Sequence, residues 1–313
     1  MRKNDHTLQG TASRIPLHAH GWQGTLLDNR ANAARQGSGF NPLRNAVFPQ
    51  TSLFRDDAVG WNFEHIFNGT AADAERSMFT PREDACLLRR VTDASVSICW
   101  PAAGSSWGAE AAMQYTAVDP HTVDLSFEIV FNEEAWPLGY VAMMWASYMH
   151  RTRERRIHFY GAEGDREGWV SFGDDLEDGG FETGTVRCRG VEPLAYEEGA
   201  ETLNVIEHRR KTFILPFYYG LVAGDGDPTT EEGTMAYVVM FDRARPIRLA
   251  MWNFIKDARG KADPHSPAWD WQYVVPQPQT GKTYGYRARI LYKPFEGRDA
   301  VLRDYESWRR RIG

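Results

Sequence analysis

Between residues 122 and 131, apolar and polar side chains alternate with a period of two. The apolar positions are Val123, Leu125, Phe127, Ile129 and Phe131. Successive side chains of a β-strand point to opposite faces, so this pattern predicts a strand with one buried and one solvated face. Half-buried strands of this kind are typical of antiparallel sheets, and the chain must supply a second layer to cover the apolar face.

Strand-length apolar runs separated by turn-forming residues recur through most of the chain. The further predicted strands are 86–88, 95–100, 110–118, 138–149, 157–160, 213–222, 235–241, 247–254, 269–275 and 283–292. One amphipathic helix is predicted at residues 298–309, where Val301, Tyr305 and Trp308 share a face. We therefore predict one domain over residues 1–313: a large all-β antiparallel sandwich with an irregular lead-in at 1–50 and a short C-terminal helix.

Composition limits the classes of function. The net charge of −6 argues against nucleic acid as a partner, and the lack of a long apolar run argues against a membrane span. The three cysteines show no disulfide or zinc spacing, and the acidic segment 173–180 lacks the spacing of an EF-hand loop. We expect a cytoplasmic protein with no metal or other cofactor, and the sequence leaves its oligomeric state open.

The aromatic run from Trp269 to Tyr273 is the first candidate for a functional site. In a strand, Asp270 and Gln272 share one face, while Trp269, Trp271 and Tyr273 share the other. A carboxylate and an amide near indole rings can grip a polyhydroxylated ligand, since indoles stack on the C–H faces of sugars. An aspartate that caps a turn or lies on a solvated sheet face is the alternative interpretation.

The stretch from residue 265 to 294 resembles the end of galactose mutarotase (aldose 1-epimerase) domains. Those domains show Glu-x-Gln, a Pro-rich loop and Pro-Gly-Glu-x-Tyr before a last strand. Here Asp270 and Gln272 match the acid-x-Gln pair, and Gly281 and Tyr284 match the turn. The resemblance implies a supersandwich fold, over roughly residues 110–293, and a catalytic base at Asp270, whose side chain is one methylene shorter than the family's glutamate.

A second family motif, Thr-Asn-His-Ser-Tyr-Phe-Asn, corresponds to residues 144–150 here, where the serine and Tyr148 match. The family's acid histidine falls on Ala146, which cannot donate a proton. If the segment is extended, His150 shares a face with Ala146 and is the candidate replacement. Tyr148 is a second catalytic candidate, and His158 is a third.

Other polar and aromatic side chains are candidates for substrate binding. They are Asn62, Glu64, His65, Arg82, Glu110, Trp145, Trp269, Trp271 and Gln272. Glu64 and His65 are neighbours, so in a regular strand they would point to opposite faces and could not act as an acid–base couple.

Three functions agree with these residues, and each requires a carbohydrate ligand. The first is an epimerase-like enzyme that acts at or near the anomeric centre of a sugar by acid–base catalysis. The second is a glycoside hydrolase or polysaccharide lyase on the same scaffold, for which hydrolysis would require two carboxylates. The third is a noncatalytic carbohydrate-binding protein, which the alanine at position 146 favours.

Overall fold

A computed structural model describes residues 12–31, 37–71, 77–200 and 206–313, and most of its regular structure is β-strand. The strands are β1 (Arg14–Ala19), β2 (Trp22–Leu27), β3 (Gly39–Asn45), β4 (Asn62–Phe67), β5 (Leu87–Thr92), β6 (Ser95–Trp100), β7 (Ala109–Asp119), β8 (Thr122–Phe131), β9 (Tyr140–Ala146), β10 (Ile157–Glu163), β11 (Arg166–Phe172), β12 (Gly184–Arg187), β13 (Lys211–Phe213), β14 (Phe217–Ala223), β15 (Thr234–Phe241), β16 (Ile247–Trp252), β17 (Ala268–Pro276) and β18 (Thr283–Pro294). The helices are α1 (Thr80–Glu83) and α2 (Arg298–Ile312), and a 3-10 turn spans Ala102–Gly104.

Two antiparallel sheets form the body of the molecule. The large sheet has ten strands in the order β11-β10-β14-β15-β18-β8-β7-β6-β5, with β13 beside β10. The small sheet has five strands in the order β12-β16-β17-β9-β4. Their paired strands run antiparallel. The predicted antiparallel β-sandwich is confirmed.

Apolar side chains from both sheets meet in one core. Phe127 of β8 and Tyr286 of β18 face Trp145 of β9, with ring centroids 4.7 Å and 5.3 Å from the indole. Strand β8 has the predicted bounds, and its apolar positions face this core. The alternation of β8 therefore identified the buried face correctly, because period two follows from strand geometry alone.

Helix α2 covers part of the opposite face of the large sheet. Val301, Tyr305 and Trp308 pack there in a cluster with Phe217 and Tyr219 of β14. The helix starts at the predicted residue and extends to Ile312, a turn beyond the predicted end.

The N-terminal region is more regular than expected. Instead of an irregular lead-in, β1, β2 and β3 form a three-stranded antiparallel sheet. Trp22, Leu26 and Leu43 of this sheet are buried in the main core. The apolar alternation of these strands is short and is interrupted by many glycines, asparagines and arginines, so the sequence pattern did not identify them.

Candidate active site

The outer face of the small sheet, which points away from the core, contains a depression around Asp270. Ala250 pairs with Asp270 across β16 and β17, and Ala268 lies two residues earlier on the same face. Because Trp271 pairs with Trp145, the antiparallel register places Ala146 beside Asp270 on the other side. Three methyl side chains thus surround the carboxylate and leave space above the sheet.

This space is a cavity of about 250 Å³, slightly smaller than the roughly 300–1,000 Å³ of drug-sized ligand sites. The chemically active side chains that line it are Glu64, His65, Arg82, Tyr148 and Asp270. Aromatic and apolar walls are supplied by Phe79, Met144, Trp252 and Phe254. The cavity therefore combines acid–base groups with ring surfaces on a scale suited to a small ligand.

A β-bulge brings two adjacent residues into the cavity together. Phe63 pairs with Trp145 and His65 with Met144, so the pairing of β4 with β9 skips Glu64. Glu64 and His65 both line the cavity, and His65 Nε2 lies 3.9 Å from Glu64 Oε1. The expectation that they would point to opposite faces is wrong, because a bulge adds one residue and interrupts the alternation.

Glu64 is the centre of a hydrogen-bonded network. The Tyr148 hydroxyl lies 2.9 Å and 3.0 Å from its two carboxylate oxygens, and Arg82 Nη1 donates to Oε1 at 3.0 Å. Asn62 Nδ2 lies 3.3 Å from Oε2. Arg82 belongs to α1 and also lies over the ring of Phe79, 5.2 Å from its centroid. With donors on both oxygens and a guanidinium in contact, this buried carboxyl group is held as an acceptor.

Asp270 is buried at the base of the cavity, and the backbone N–H of Ser147 donates to its Oδ1 at 2.8 Å. Ser147 directly follows β9, so the two central strands of the small sheet fix this carboxylate together. Gln272 shares the outer face with Asp270, but it lies outside the cavity lining, between Arg248 of β16 and Met144 of β9.

The three tryptophans that the sequence indicated as ligand walls lie on the other face. Trp145, Trp269 and Trp271 are fully buried in the core, and Trp145 stacks on Trp271 with centroids 5.9 Å apart. This correction follows from the alternation itself: a face that presents Asp270 outward must present the neighbouring indoles inward.

The aromatic wall comes instead from the end of β16. Trp252 and Phe254 line the cavity with parallel rings whose centroids are 6.0 Å apart. Trp252 is 2% exposed and Phe254 is 53% exposed, so the stack runs from the cavity to solvent. The i, i+2 spacing of the two rings was visible in the sequence, but nothing local indicated that this strand end adjoins Asp270.

His150 lies outside the cavity lining, so the structure does not support it as the acid. Its backbone N–H donates to the Leu53 carbonyl, and its Nε2 accepts from Arg151 Nε at 2.9 Å. Burial and the adjacent Arg151 lower the pKa of His150. Strand β9 ends at Ala146, four residues before His150, so the alternation of a regular strand does not extend to this histidine.

His158 and Glu110 also lie away from the cavity, because both belong to the large sheet. His158 of β10 lies 2.8 Å from Glu154 Oε1 and stacks on Tyr219, whose side chain belongs to the cluster beneath α2. Glu110 of β7 is exposed, between two alanines that face the core. Both residues are thus removed as candidates, since the two sheets present their outer faces on opposite sides of the sandwich.

Within the described ranges, no three or more His, Cys, Asp or Glu side chains are grouped so that they could hold a metal ion. In the same ranges, no helix has the length and apolarity needed to cross a membrane.

The fold resembles that of solved sugar-epimerase homologues. The galactose mutarotase related enzyme from Lactobacillus acidophilus superposes with a TM-score of 0.51 at 8% identity, over 89% of this chain and 97% of that chain. A putative aldose 1-epimerase from Escherichia coli K12 gives a TM-score of 0.48 at 11% identity, over 91% and 99% of the two chains. The GalM/aldose epimerase homologue from C. elegans gives 0.47 at 12% identity, also over 91% and 99%.

No protein-family model and no curated protein sequence matches this chain. The structural likeness, at this identity, concerns the fold. The chain has the galactose mutarotase-like β-sandwich fold, as its sequence motifs implied.

Proposed function

We propose that this protein acts on a sugar at or near the anomeric centre by acid–base catalysis, in the manner of an epimerase. The observation that carries this proposal is the cavity itself. It brings Asp270, His65 and Tyr148 together beside the Trp252–Phe254 stack. The Asp270 carboxylate occupies the position at which the sequence resemblance implies a catalytic base.

In this proposal Asp270 is the general base. It takes the proton of the anomeric hydroxyl as the bond between the anomeric carbon and the ring oxygen breaks. The backbone N–H of Ser147 orients the carboxylate, so little reorganisation is needed during proton transfer. Closure of the open-chain aldehyde on its other face returns both protons and gives the opposite anomer.

The ring oxygen requires a proton when that bond breaks, and His65 is the residue that we assign as donor. Ala146 leaves the family's histidine position without a donor, but the bulge in β4 directs another imidazole into the same cavity. Glu64 Oε1, 3.9 Å from His65 Nε2, places a negative charge near the imidazolium form. Tyr148 is the alternative donor, although its hydroxyl is already bonded to Glu64.

The same network favours the epimerase over the hydrolase. Hydrolysis would require one of the two cavity carboxyl groups, Glu64 or Asp270, to be a protonated acid. Glu64 accepts hydrogen bonds from Tyr148, Arg82 and Asn62, so both of its carboxylate oxygens already have partners within the site. Glu64 therefore serves better as an anchor for the site than as a proton donor to a leaving group.

The direct test is exchange between anomers in a panel of neutral aldoses, measured by magnetisation-exchange NMR and corrected for the buffer rate. Asp270→Asn keeps the shape and removes the base, so the catalysed rate should fall on the order of 10²- to 10⁴-fold while sugar binding persists. Asp93→Asn, at an exposed turn, is the matched control and should keep the wild-type rate.

Two results would overturn this proposal. Full activity in Asp270→Asn would remove Asp270 as the base. Sugar binding without any exchange above the buffer rate would leave the noncatalytic carbohydrate-binding protein as the function of this cavity.

A further inference from the structure

A second depression lies at the end of β17 far from Asp270, and residues from both faces of that strand line it. Its volume is about 610 Å³, within the roughly 300–1,000 Å³ that is typical of small-molecule sites. Val274, on its floor, is four residues from Asp270 on one strand, so about 13 Å separates them at 3.3 Å per residue. The proposed sugar chemistry makes no use of this depression.

The walls of the depression are mainly apolar and aromatic. Tyr140, Tyr273 and Tyr284 contribute their rings, and Val191 and Leu194 close it from the segment after β12. Each phenol oxygen is already hydrogen-bonded to a backbone atom of the protein. These hydrogen bonds hold the three phenols in place, and their rings contribute apolar surface to the walls of the depression.

Guanidinium groups give one side of the depression a positive charge. Arg248 is 2% exposed and donates to Glu207 at 2.7 Å, while Arg187 donates to the same carboxylate at 2.9 Å. Arg245 and Glu192 also line the wall, and neither makes an ion pair with any described residue. The lining itself thus contains two guanidinium groups, those of Arg245 and Arg248, and one carboxylate, that of Glu192, and this balance favours an anion.

We propose that this depression binds a small organic anion with a planar apolar body, of the aryl carboxylate class. The apolar body would lie against the tyrosine-lined walls of the depression, and the carboxylate would meet Arg245 at the rim. A planar guanidinium can donate two parallel hydrogen bonds to a carboxylate, which fixes the orientation of such a ligand. The proposal is independent of the chemistry assigned to Asp270.

The test uses biphenyl-4-carboxylate and its neutral carboxamide as matched probes, with methyl NMR to locate them and titration calorimetry for affinity. The carboxylate should shift the methyl signals of Val191 and Val274 and bind about fivefold more tightly than the carboxamide, the scale of an exposed ion pair. Arg245→Gln should abolish this preference. Arg310→Gln, an exposed arginine on α2, is the matched control and should retain it.

Three results would overturn the proposal. The first is equal affinity of the wild-type protein for the two probes, or no binding of either. The second is a set of shifts at the methyls of Ala146 and Ala268 with none at Val191 and Val274, which would place the probe in the candidate active site. The third is an equal effect of Arg245→Gln and Arg310→Gln, which would show a general effect of surface charge.

Discussion

Tyr148 and Glu64 are 84 residues apart in sequence, and the phenol hydroxyl lies 2.9 Å and 3.0 Å from the two oxygens of the carboxylate. This contact joins the bulge in β4 to the extended segment that follows β9. Both side chains are buried, so the hydrogen bond forms where water competes little. It holds together two walls of the candidate active site.

Removal of this hydroxyl should destabilise the fold. Tyr148→Phe is expected to lower the free energy of unfolding by about 1–3 kcal/mol, because a buried charged acceptor loses a donor. Urea titration measures the change, and Tyr196→Phe, at an exposed position, is the control that should have no effect. Unchanged stability in Tyr148→Phe would show that the remaining donors fully compensate.

Replacement of each histidine in turn should show whether His65 or His150 is the proton donor. His65→Gln is expected to reduce anomer exchange on the order of 10²- to 10⁴-fold and to abolish the fall in rate at high pH that deprotonation of an acid causes. His150→Gln should leave both the rate and the pH profile unchanged, since His150 lies outside the cavity lining. The opposite pattern in a pH–rate series would restore His150 as the acid.

Removal of an aromatic ring from the cavity wall should weaken sugar binding, whereas removal of one from the core should lower stability. Phe254→Ala should weaken sugar binding by about 2- to 10-fold, the scale of one ring contact, with little change in stability because the ring is 53% exposed. Trp145→Ala should instead lower the free energy of unfolding by about 3–5 kcal/mol, because it opens a cavity among stacked core rings. Calorimetry and urea titration of both variants give the comparison. A stable Trp145→Ala that no longer binds sugar would contradict the core assignment.

Glu182 should make the fold sensitive to acid. Burial acts to raise its pKa, but hydrogen bonds from His208 and Lys211 outweigh burial and lower the pKa from 4.5 to about 2. A lowered pKa in the folded state stabilises the protein fully above pH 4.5, and this contribution disappears as the pH falls towards 2.

Glu182→Gln should therefore be less stable than wild type at pH 6, and the difference should disappear as the pH approaches 2. Urea titrations across this pH range measure the difference in the free energy of unfolding between Glu182→Gln and wild type. Groups that titrate in both proteins cancel in this difference. Glu177→Gln, an exposed carboxylate in the same acidic region, should remain equal to wild type throughout. A gap between Glu182→Gln and wild type that does not change with pH would show that the carboxylate acts through its shape alone.

Local patterns in the sequence determined the secondary structure and the face of each element on which a given side chain lies. Strand β8 and the start of α2 were predicted at their observed residues, and Asp270 was correctly separated from its neighbouring tryptophans. These results follow from the periods of strands and helices, which depend only on backbone geometry. The strand pattern predicted the sandwich, and the family motifs implied the same fold and added the candidate base.

Only the tertiary structure decided which side chains meet. The large indoles of β17 pack in the core, and Asp270 therefore lies on the outer face. A single-residue bulge then turned Glu64 and His65 to one side, and β9 ends at Ala146, so its alternation does not extend to His150. Helix α1 and the end of β16 complete the cavity from segments far away in sequence. Such convergence depends on strand pairing over long distances, and a periodic pattern within one segment contains no information about it.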